Sequence, residues 1–387
     1  MQSTSKKSLP LIVGIKGEIL TPEEIEFFRQ NPPEGFILFD RNIKSREQVI
    51  ELNKSLRALN PDRKILLLID QEGGIVARLK PPIIKNTYPP AEFFGKLYEK
   101  SPEVGIEAVR KNFTDIMSDL QELGFDSPCG PVADLKYSGA HKVIGSRSFG
   151  SDPAQVIELC NAAIDAIEES GGIAIIKHMP GHGRAIVDSH NALPRVSNSL
   201  EELWNSDFAV FQFLSDKVDF AMTAHILFEA IDQDNPITIS AKGIEFLRNK
   251  IGFKGKILTD ALEMGALHGE LGKYYLMLKK IKEALDNQKP YNQDLVEELI
   301  AKNIIQGGED LSSAIDKVYK DIHLKFCESL AKKAKEAITA GCDYILHCSG
   351  NLEEIKAITN ELKKMMQDFW VDSIKSQEKR EIISNSK

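Results

Sequence analysis

Cysteine is scarce in this chain of 387 residues and follows no pattern: Cys129, Cys160, Cys327, Cys342 and Cys348 are odd in number, widely spaced and contain no C-x-x-C pair. Neither a disulfide framework nor a structural zinc site is suggested, and a reducing compartment is expected. Long apolar runs are missing too. The run at 9–13, after Lys6 and Lys7, stops at Gly14 with no cleavage-like segment, far short of the ~18 apolar residues of a membrane span. Positive charge is not in excess: 49 Lys and Arg stand against 57 Asp and Glu, a net charge of -8, which argues against a polyanion such as DNA as partner. The expectation is a cytoplasmic protein with neither a membrane nor a nucleic acid as partner. No segment repeats at a solenoid period, and the composition is that of a soluble globular chain.

What the chain does have is alternation. Eight short apolar runs, at 9–15, 35–39, 65–70, 125–130, 173–178, 220–225, 256–260 and 343–347, alternate with longer segments of helical period, the pattern of repeated βα units and a parallel sheet. Ile65-Leu66-Leu67-Leu68-Ile69 is apolar without alternation, as expected for a strand covered on both faces. Helix starts are legible at Thr21-Pro22 with Glu24, Ser45 with Gln48, Ser151-Asp152-Pro153, and Ser199 with Glu202. Connections entering the runs are tight (31–34, 60–64, 171–172, 252–255), whereas those leaving them are long (71–102, 131–151, 179–198, 226–240). Long loops confined to one end place function at the strand C-termini. The asymmetry predicts an α/β fold, a single-domain TIM (β/α)8 barrel over residues 1–370, with a polar tail at 371–387. Gly14-Ile15-Lys16-Gly17 is only G-x-x-G, so a dinucleotide fold is disfavoured and no cofactor is expected.

Reactive side chains fall where such a barrel needs them. The third run ends in Asp70-Gln71-Glu72-Gly73-Gly74, followed by Arg78; the fifth in Lys177-His178, then Met179-Pro180-Gly181-His182-Gly183; the seventh in Asp260. The long loops add Asp134, Arg147 and Asp188-Ser189-His190. A polar group at the end of a buried strand needs a partner or a task. For Asp260 the rival role is a helix cap completed by Glu263, and the two can coexist. Lys177 could be a satisfied cation, a Schiff-base amine or a donor to a substrate hydroxyl, and residue chemistry does not rank these. His178 and His182 lie four apart, but Pro180-Gly181 forbids the helix that carries a zinc pair, so no metal is expected. His225 reads equally as a core histidine. Asp188 could orient His190.

The string Lys177-His178-Met179-Pro180-Gly181-His182-Gly183, with Asp188-Ser189-His190 shortly after, resembles the signature of family-three glycoside hydrolases, specifically the bacterial β-N-acetylglucosaminidases. The resemblance extends to Asp70 through Gly74 with Arg78, to Arg147-Ser148-Phe149-Gly150, and to Asp260 with Leu262 and Met264. It runs in order from residue 9 to about 265 and resumes at Ala340-Gly341-Cys342-Asp343. Two positions depart: Met179 replaces a usual phenylalanine, and Ala261 stands where relatives commonly carry a second aspartate. Residues from about 267 to 325 form an extra Lys- and Glu-rich segment, with helical runs at 275–285 and 295–305, between the seventh run and the last helix pair. It reads as a solvated helical insertion, with a lid or dimer contact as the alternative.

The resemblance implies an exo-acting, retaining β-N-acetylglucosaminidase. Asp260 would attack the anomeric carbon to form a covalent glycosyl-enzyme, while His190, oriented by Asp188, protonates the leaving group and later activates water. Asp70, Arg78, Arg147, Lys177 and His178 would bind the terminal sugar without metal or cofactor. The implied substrate is a GlcNAc-containing muropeptide (GlcNAc-anhydroMurNAc), cleaved in peptidoglycan recycling by a cytoplasmic enzyme, a monomer in preference to an oligomer. The alternatives are a Schiff-base lyase using Lys177, a sugar-binding protein of weakened catalysis, at which Ala261 hints, and phosphorolysis.

Overall fold

Seven parallel strands form the central sheet of the computed structural model, which describes residues 8–190, 192–308 and 310–384. They are β1 (Leu9–Val13), β2 (Pro33–Leu38), β3 (Leu66–Ile69), β4 (Ile175–Met179), β5 (Phe220–Thr223), β6 (Lys256–Ala261) and β7 (Tyr344–His347), in the spatial order β3-β2-β1-β7-β6-β5-β4. Helices alternate with them: α1 (Pro22–Gln30) and α2 (Arg46–Arg57) follow β1 and β2, α3 (Pro102–Leu123) and α4 (Pro153–Glu169) lie between β3 and β4, and α5 (Asp207–Leu214) precedes β5. The expected helix starts have physical caps. Thr21 and Ser199 form capping boxes with Glu24 and Glu202, the Ser45 side chain accepts from the Gln48 N–H, and Asp152 accepts from the Ala154 N–H.

The run at 125–130 corrects the expectation of eight regular strands. Pro128 and Pro131 have no N–H to give to a ladder, and the stretch forms isolated bridges instead of a strand. It still joins the two edges of the sheet. On the β3 side the Ile69 N–H donates to Ser127 O (3.2 Å), and on the β4 side the Ile175 N–H donates to Gly130 O (2.9 Å) and the Ala133 N–H to Lys177 O (2.8 Å). The architecture is α/β and TIM-like, with seven strands in the central sheet and one irregular connector among the described residues.

Eight side chains fill the interior, one from each strand and one from the connector: Ile12, Ile37, Leu68, Cys129, Ile175, Met222, Leu258 and Leu346. Their strand neighbours, among them Val13, Phe36, Leu67 and Ile176, pack outward with helix residues such as Phe28, Val49 and Ile116. Burial on both faces is why these runs carry no polar alternation. The period of two also positions the site. Two residues beyond Leu68, Ile175 and Leu258 come Asp70, Lys177 and Asp260, on the same interior side and one step nearer the mouth.

Between β6 and β7 lie α6 (Gly269–Asp286), α7 (Gln293–Ala301) and α8 (Leu311–Ala340). The expected helical runs are there, the second ending at Ala301, but α6 is not a solvated excursion. Tyr275, Leu278 and Ile281 are buried, and Tyr275 stacks on Phe326 of α8 with ring centroids 4.0 Å apart. The last helix, α9 (Leu352–Ser384), takes in most of the polar 371–387 stretch, whose residues 385–387 lie outside the described residues. Among the described residues, no helix is long and apolar enough to cross a membrane.

Candidate active site

A cavity of about 360 Å³ at the C-terminal mouth of the strands gathers seven of the residues singled out above: Asp70, Arg78, Arg147, Lys177, His178, His190 and Asp260. Asp188 stands behind His190. Glu72, Glu263, Leu276, Lys280 and Cys348 complete much of the wall. A larger hollow of about 650 Å³ at the opposite end, beside Gly172, Lys217 and Gly255, assembles no comparable set.

One side of the cavity is a network of paired charges. The Lys177 ammonium lies 3.1 Å from Asp70 Oδ1 and 2.7 Å from Glu72 Oε1. Arg147 grips Glu72 with two parallel bonds, Nε to Oε2 and Nη2 to Oε1, each 2.8 Å, and Arg78 Nη2 donates to Asp70 Oδ2 at 3.2 Å. Burial opposes charge on these groups, but the pairing outweighs it. Asp70 and Glu72 are held below the ordinary carboxylate range, and Lys177 and Arg147 above their ordinary values. A firmly protonated Lys177 is a hydrogen-bond donor and a poor Schiff-base amine. Glu72 is a site residue that sequence reasoning left out, although the D-Q-E-G-G motif displays it. A hairpin pairing Gln71–Gly73 with Val76–Ala77 holds it at the cavity wall. Its turn depends on Gly73, at φ 99°, where an added Cβ would sit 2.2 Å from Pro89 O.

A second unit is built on Asp134, which is fully buried and accepts three hydrogen bonds: from His178 Nδ1 (2.7 Å), the His178 N–H (3.2 Å) and the His182 N–H (2.7 Å). Burial works against its charge, but the His178 imidazole and these bonds hold its carboxyl below the ordinary range. An ionised acceptor places the hydrogen on His178 Nδ1 and leaves Nε2 for other partners. His182 is pushed down to about 4 by burial and then by His178, and its neutral ring contacts Ser189 Oγ through Nε2 at 3.0 Å. It thereby ties the strand-end loop to the Asp188-Ser189-His190 segment. The same segment is held from β6's side by the Ala266 N–H on Ser189 O and the Gly265 N–H on His190 O, both 3.0 Å.

Asp260 closes the third side. Its Oδ1 accepts from the Ala261 N–H at 2.7 Å. Burial alone would raise its pKa; the neighbouring His178 and His225, with the Ala261 N–H, reverse that and keep the carboxyl ionised below the ordinary range. Among the described residues no Lys or Arg forms an ion pair with it. The D-x-x-E cap does not form, because the strand continues through Ala261 and Glu263 turns to the Cys348 N–H (2.9 Å) and His347 Nδ1 (3.1 Å). Opposite stands the dyad: Asp188 Oδ1 accepts from His190 Nδ1 (2.8 Å) and from the His190 N–H (2.9 Å), bonds that outweigh burial and lower the Asp188 pKa. The His190 ring is 64 % exposed, at the rim.

His225 is a core histidine. Its Nε2 donates to Ala261 O at 3.0 Å and its Nδ1 meets Thr238 Oγ1 at 2.7 Å, with burial lowering its pKa. Sequence reasoning also passed over His347, the last residue of β7. It is fully buried between Glu263 and Glu354 (Nε2 to Oε2 3.0 Å), and the two carboxylates overcome burial to raise it to about 9.

Comparison with known proteins identifies the family. The glycosyl hydrolase family 3 N terminal domain matches residues 20–287. A beta-hexosaminidase of Pseudomonas aeruginosa (strain LESB58) is 35% identical over 260 residues, 67% of this chain and 75% of that protein. One of Xylella fastidiosa (strain M23) is 32% identical over 261 residues, 67% and 76%. Among solved structures, a glycoside hydrolase family 3 beta-N-acetylglucosaminidase from Paenibacillus sp. superposes with a TM-score of 0.70 at 27% identity, over 91% of this chain but only 56% of that one. NagZ from Neisseria gonorrhoeae, in complex with N-trifluoroacetyl-D-glucosamine, superposes with a TM-score of 0.69 at 25% identity, over 92% of this chain and 90% of that one. The chain belongs to glycosyl hydrolase family 3 and is a glycoside hydrolase of the β-N-acetylhexosaminidase type.

Proposed function

We propose that the protein is a cytoplasmic, monomeric, exo-acting and retaining β-N-acetylglucosaminidase that removes terminal β-linked GlcNAc from muropeptides such as GlcNAc-anhydroMurNAc in peptidoglycan recycling. The observation that carries the reading is the pairing, in one cavity, of an ionised Asp260 that has no Lys or Arg partner among the described residues and an imidazole, His190, held by a carboxylate. Asp260 attacks the anomeric carbon and forms the glycosyl-enzyme. Asp188 keeps the hydrogen on His190 Nδ1, so that Nε2 gives its proton to the leaving oxygen and then takes one from the attacking water. Asp70, Arg78, Arg147, Lys177 and His178 offer the donors and acceptors that hold the terminal sugar. The connector at 126–133 serves as the barrel's fourth position, and 267–325 is an insertion into it.

The acid role is tested by changing the leaving group. His190→Ala should cut kcat for a substrate with a poorly leaving alcohol at least about tenfold more than for a nitrophenyl glycoside, which needs no proton. Equal losses on both would overturn the assignment. N-acetylglucosamine, not its 1-phosphate, is the expected product in phosphate buffer.

A further inference from the structure

One wall of the cavity comes from α6, which lies beyond the strand-end motifs. Leu276 and Lys280 are one helical turn apart on that helix and both line the cavity. The backbone that carries them is fixed from behind. Leu278 and Ile281 are fully buried, Tyr275 stacks on Phe326, and the Tyr275 hydroxyl bonds to the buried Glu354. The cavity therefore has a permanent rim on this side.

The charges of the lining are unequal in their engagement. Arg78, Arg147 and Lys177 are committed to Asp70 and Glu72, and Glu263 is committed to His347. Lys280 is exposed and, among the described residues, forms no ion pair. Glu283, three residues on, lines a different hollow. A cation at the rim of a glycosidase cavity, outside the paired network that would hold the terminal sugar, faces what leaves the site, and beside it Leu276 offers an apolar surface for a sugar or alkyl face.

We infer that Leu276 and Lys280 form the leaving-group subsite and that Lys280 selects substrates whose leaving group bears a carboxylate. This rests on the glycosidase reading of the same cavity. An exposed ammonium attracts a carboxylate modestly, so the effect is one of discrimination between leaving groups, with little effect on the chemistry at the anomeric carbon.

The test compares two disaccharides with the same terminal GlcNAc and the same kind of leaving oxygen. One is N,N′-diacetylchitobiose, with a neutral leaving sugar; the other carries N-acetylmuramic acid, whose lactyl group ends in a carboxylate. The ratio of their kcat/KM values is measured for the wild type, Lys280→Ala, Lys280→Glu and Lys280→Arg. Lys280→Ala should lower the ratio of acidic to neutral turnover about two- to fivefold, Lys280→Glu should lower it further, and Lys280→Arg should restore it. The wild-type ratio should also fall as salt is raised. A ratio that is the same in all four proteins, with both substrates cleaved, overturns the subsite while leaving the glycosidase reading intact. A wild type that cleaves neither substrate overturns both.

Discussion

Asp134→Ala removes a side chain that touches no sugar in the proposed mechanism yet accepts three hydrogen bonds in a place closed to water. The change leaves the His178 Nδ1–H and two main-chain N–H groups without an acceptor. Each such orphan costs about 1–3 kcal/mol, and three of them around one buried site cost about 3–5 kcal/mol in total because the parts do not add. A destabilisation of about 3–5 kcal/mol is therefore expected, read from guanidinium unfolding at unchanged m. The pH dependence carries a sign. Because the folded-state pKa of Asp134 is depressed, its contribution is full above the ordinary carboxylate range and is lost as pH falls through the folded value. The gap between wild type and variant should thus be complete at pH 7 and should narrow only below about pH 4. Asp134→Asn separates fold from function. Its amide oxygen can still take the two main-chain N–H groups, but its NH2 faces His178 Nδ1 and moves the ring hydrogen to Nε2. We expect a smaller stability loss, about 1–3 kcal/mol, with kcat/KM for an aryl N-acetylglucosaminide at least about tenfold down. An Asp134→Ala protein within about 1 kcal/mol of wild type at pH 7 would refute the reasoning.

Three further outcomes follow from the same kind of argument. His347, raised to about 9 by Glu263 and Glu354 against burial, contributes stability that is fully present below about pH 6.5 and is lost as pH rises through 9; on the order of 3 kcal/mol should disappear by pH 10, and unfolding free energies flat across that window would contradict it. Lys177→Met leaves Asp70 and Glu72 facing each other without their shared cation, so activity should fall by more than about a hundredfold and stability by about 3–5 kcal/mol; recovery of a borohydride-reduced substrate adduct on wild-type Lys177 would favour the lyase instead. Gly183→Ala places a Cβ 1.9 Å from Leu135 O, a backbone atom that cannot swing aside, and should cost about 1–3 kcal/mol along with activity; wild-type turnover by this variant would show that the loop is not held as described.

Most of the strand framework is legible in the chain because burial on both faces leaves no polar residue in stretches such as 65–69 and 173–176, ahead of the strand ends. The exception is instructive: 125–130 carries Asp126 and Ser127 beside Phe125 and Cys129, and Pro128 and Pro131 make it a connector that bonds both sheet edges without being a strand. The residues gathered in the cavity are legible for a related reason, since charge at the end of a buried run stands out. What escapes the sequence is partnership across distance. Glu72 meets Arg147 from 75 positions away and Asp134 meets His178 from 44, and neither spacing leaves a local signature. His347 hides at the end of an apolar run, where a single imidazole looks like core, and both of its carboxylates come from other elements. The burial of α6 escaped notice because its Lys- and Glu-rich composition describes only its outer face.

The central claim is that Asp260 forms the covalent bond to the sugar, and intact-mass analysis with a slowly turned-over fluorinated N-acetylglucosaminide tests it most directly. The account predicts one glycosyl increment per chain, located by peptide mapping to the segment containing Asp260 and absent from an Asp260→Ala protein that no longer turns over an aryl β-N-acetylglucosaminide. An increment on another residue, or near-normal turnover by Asp260→Ala, would contradict it.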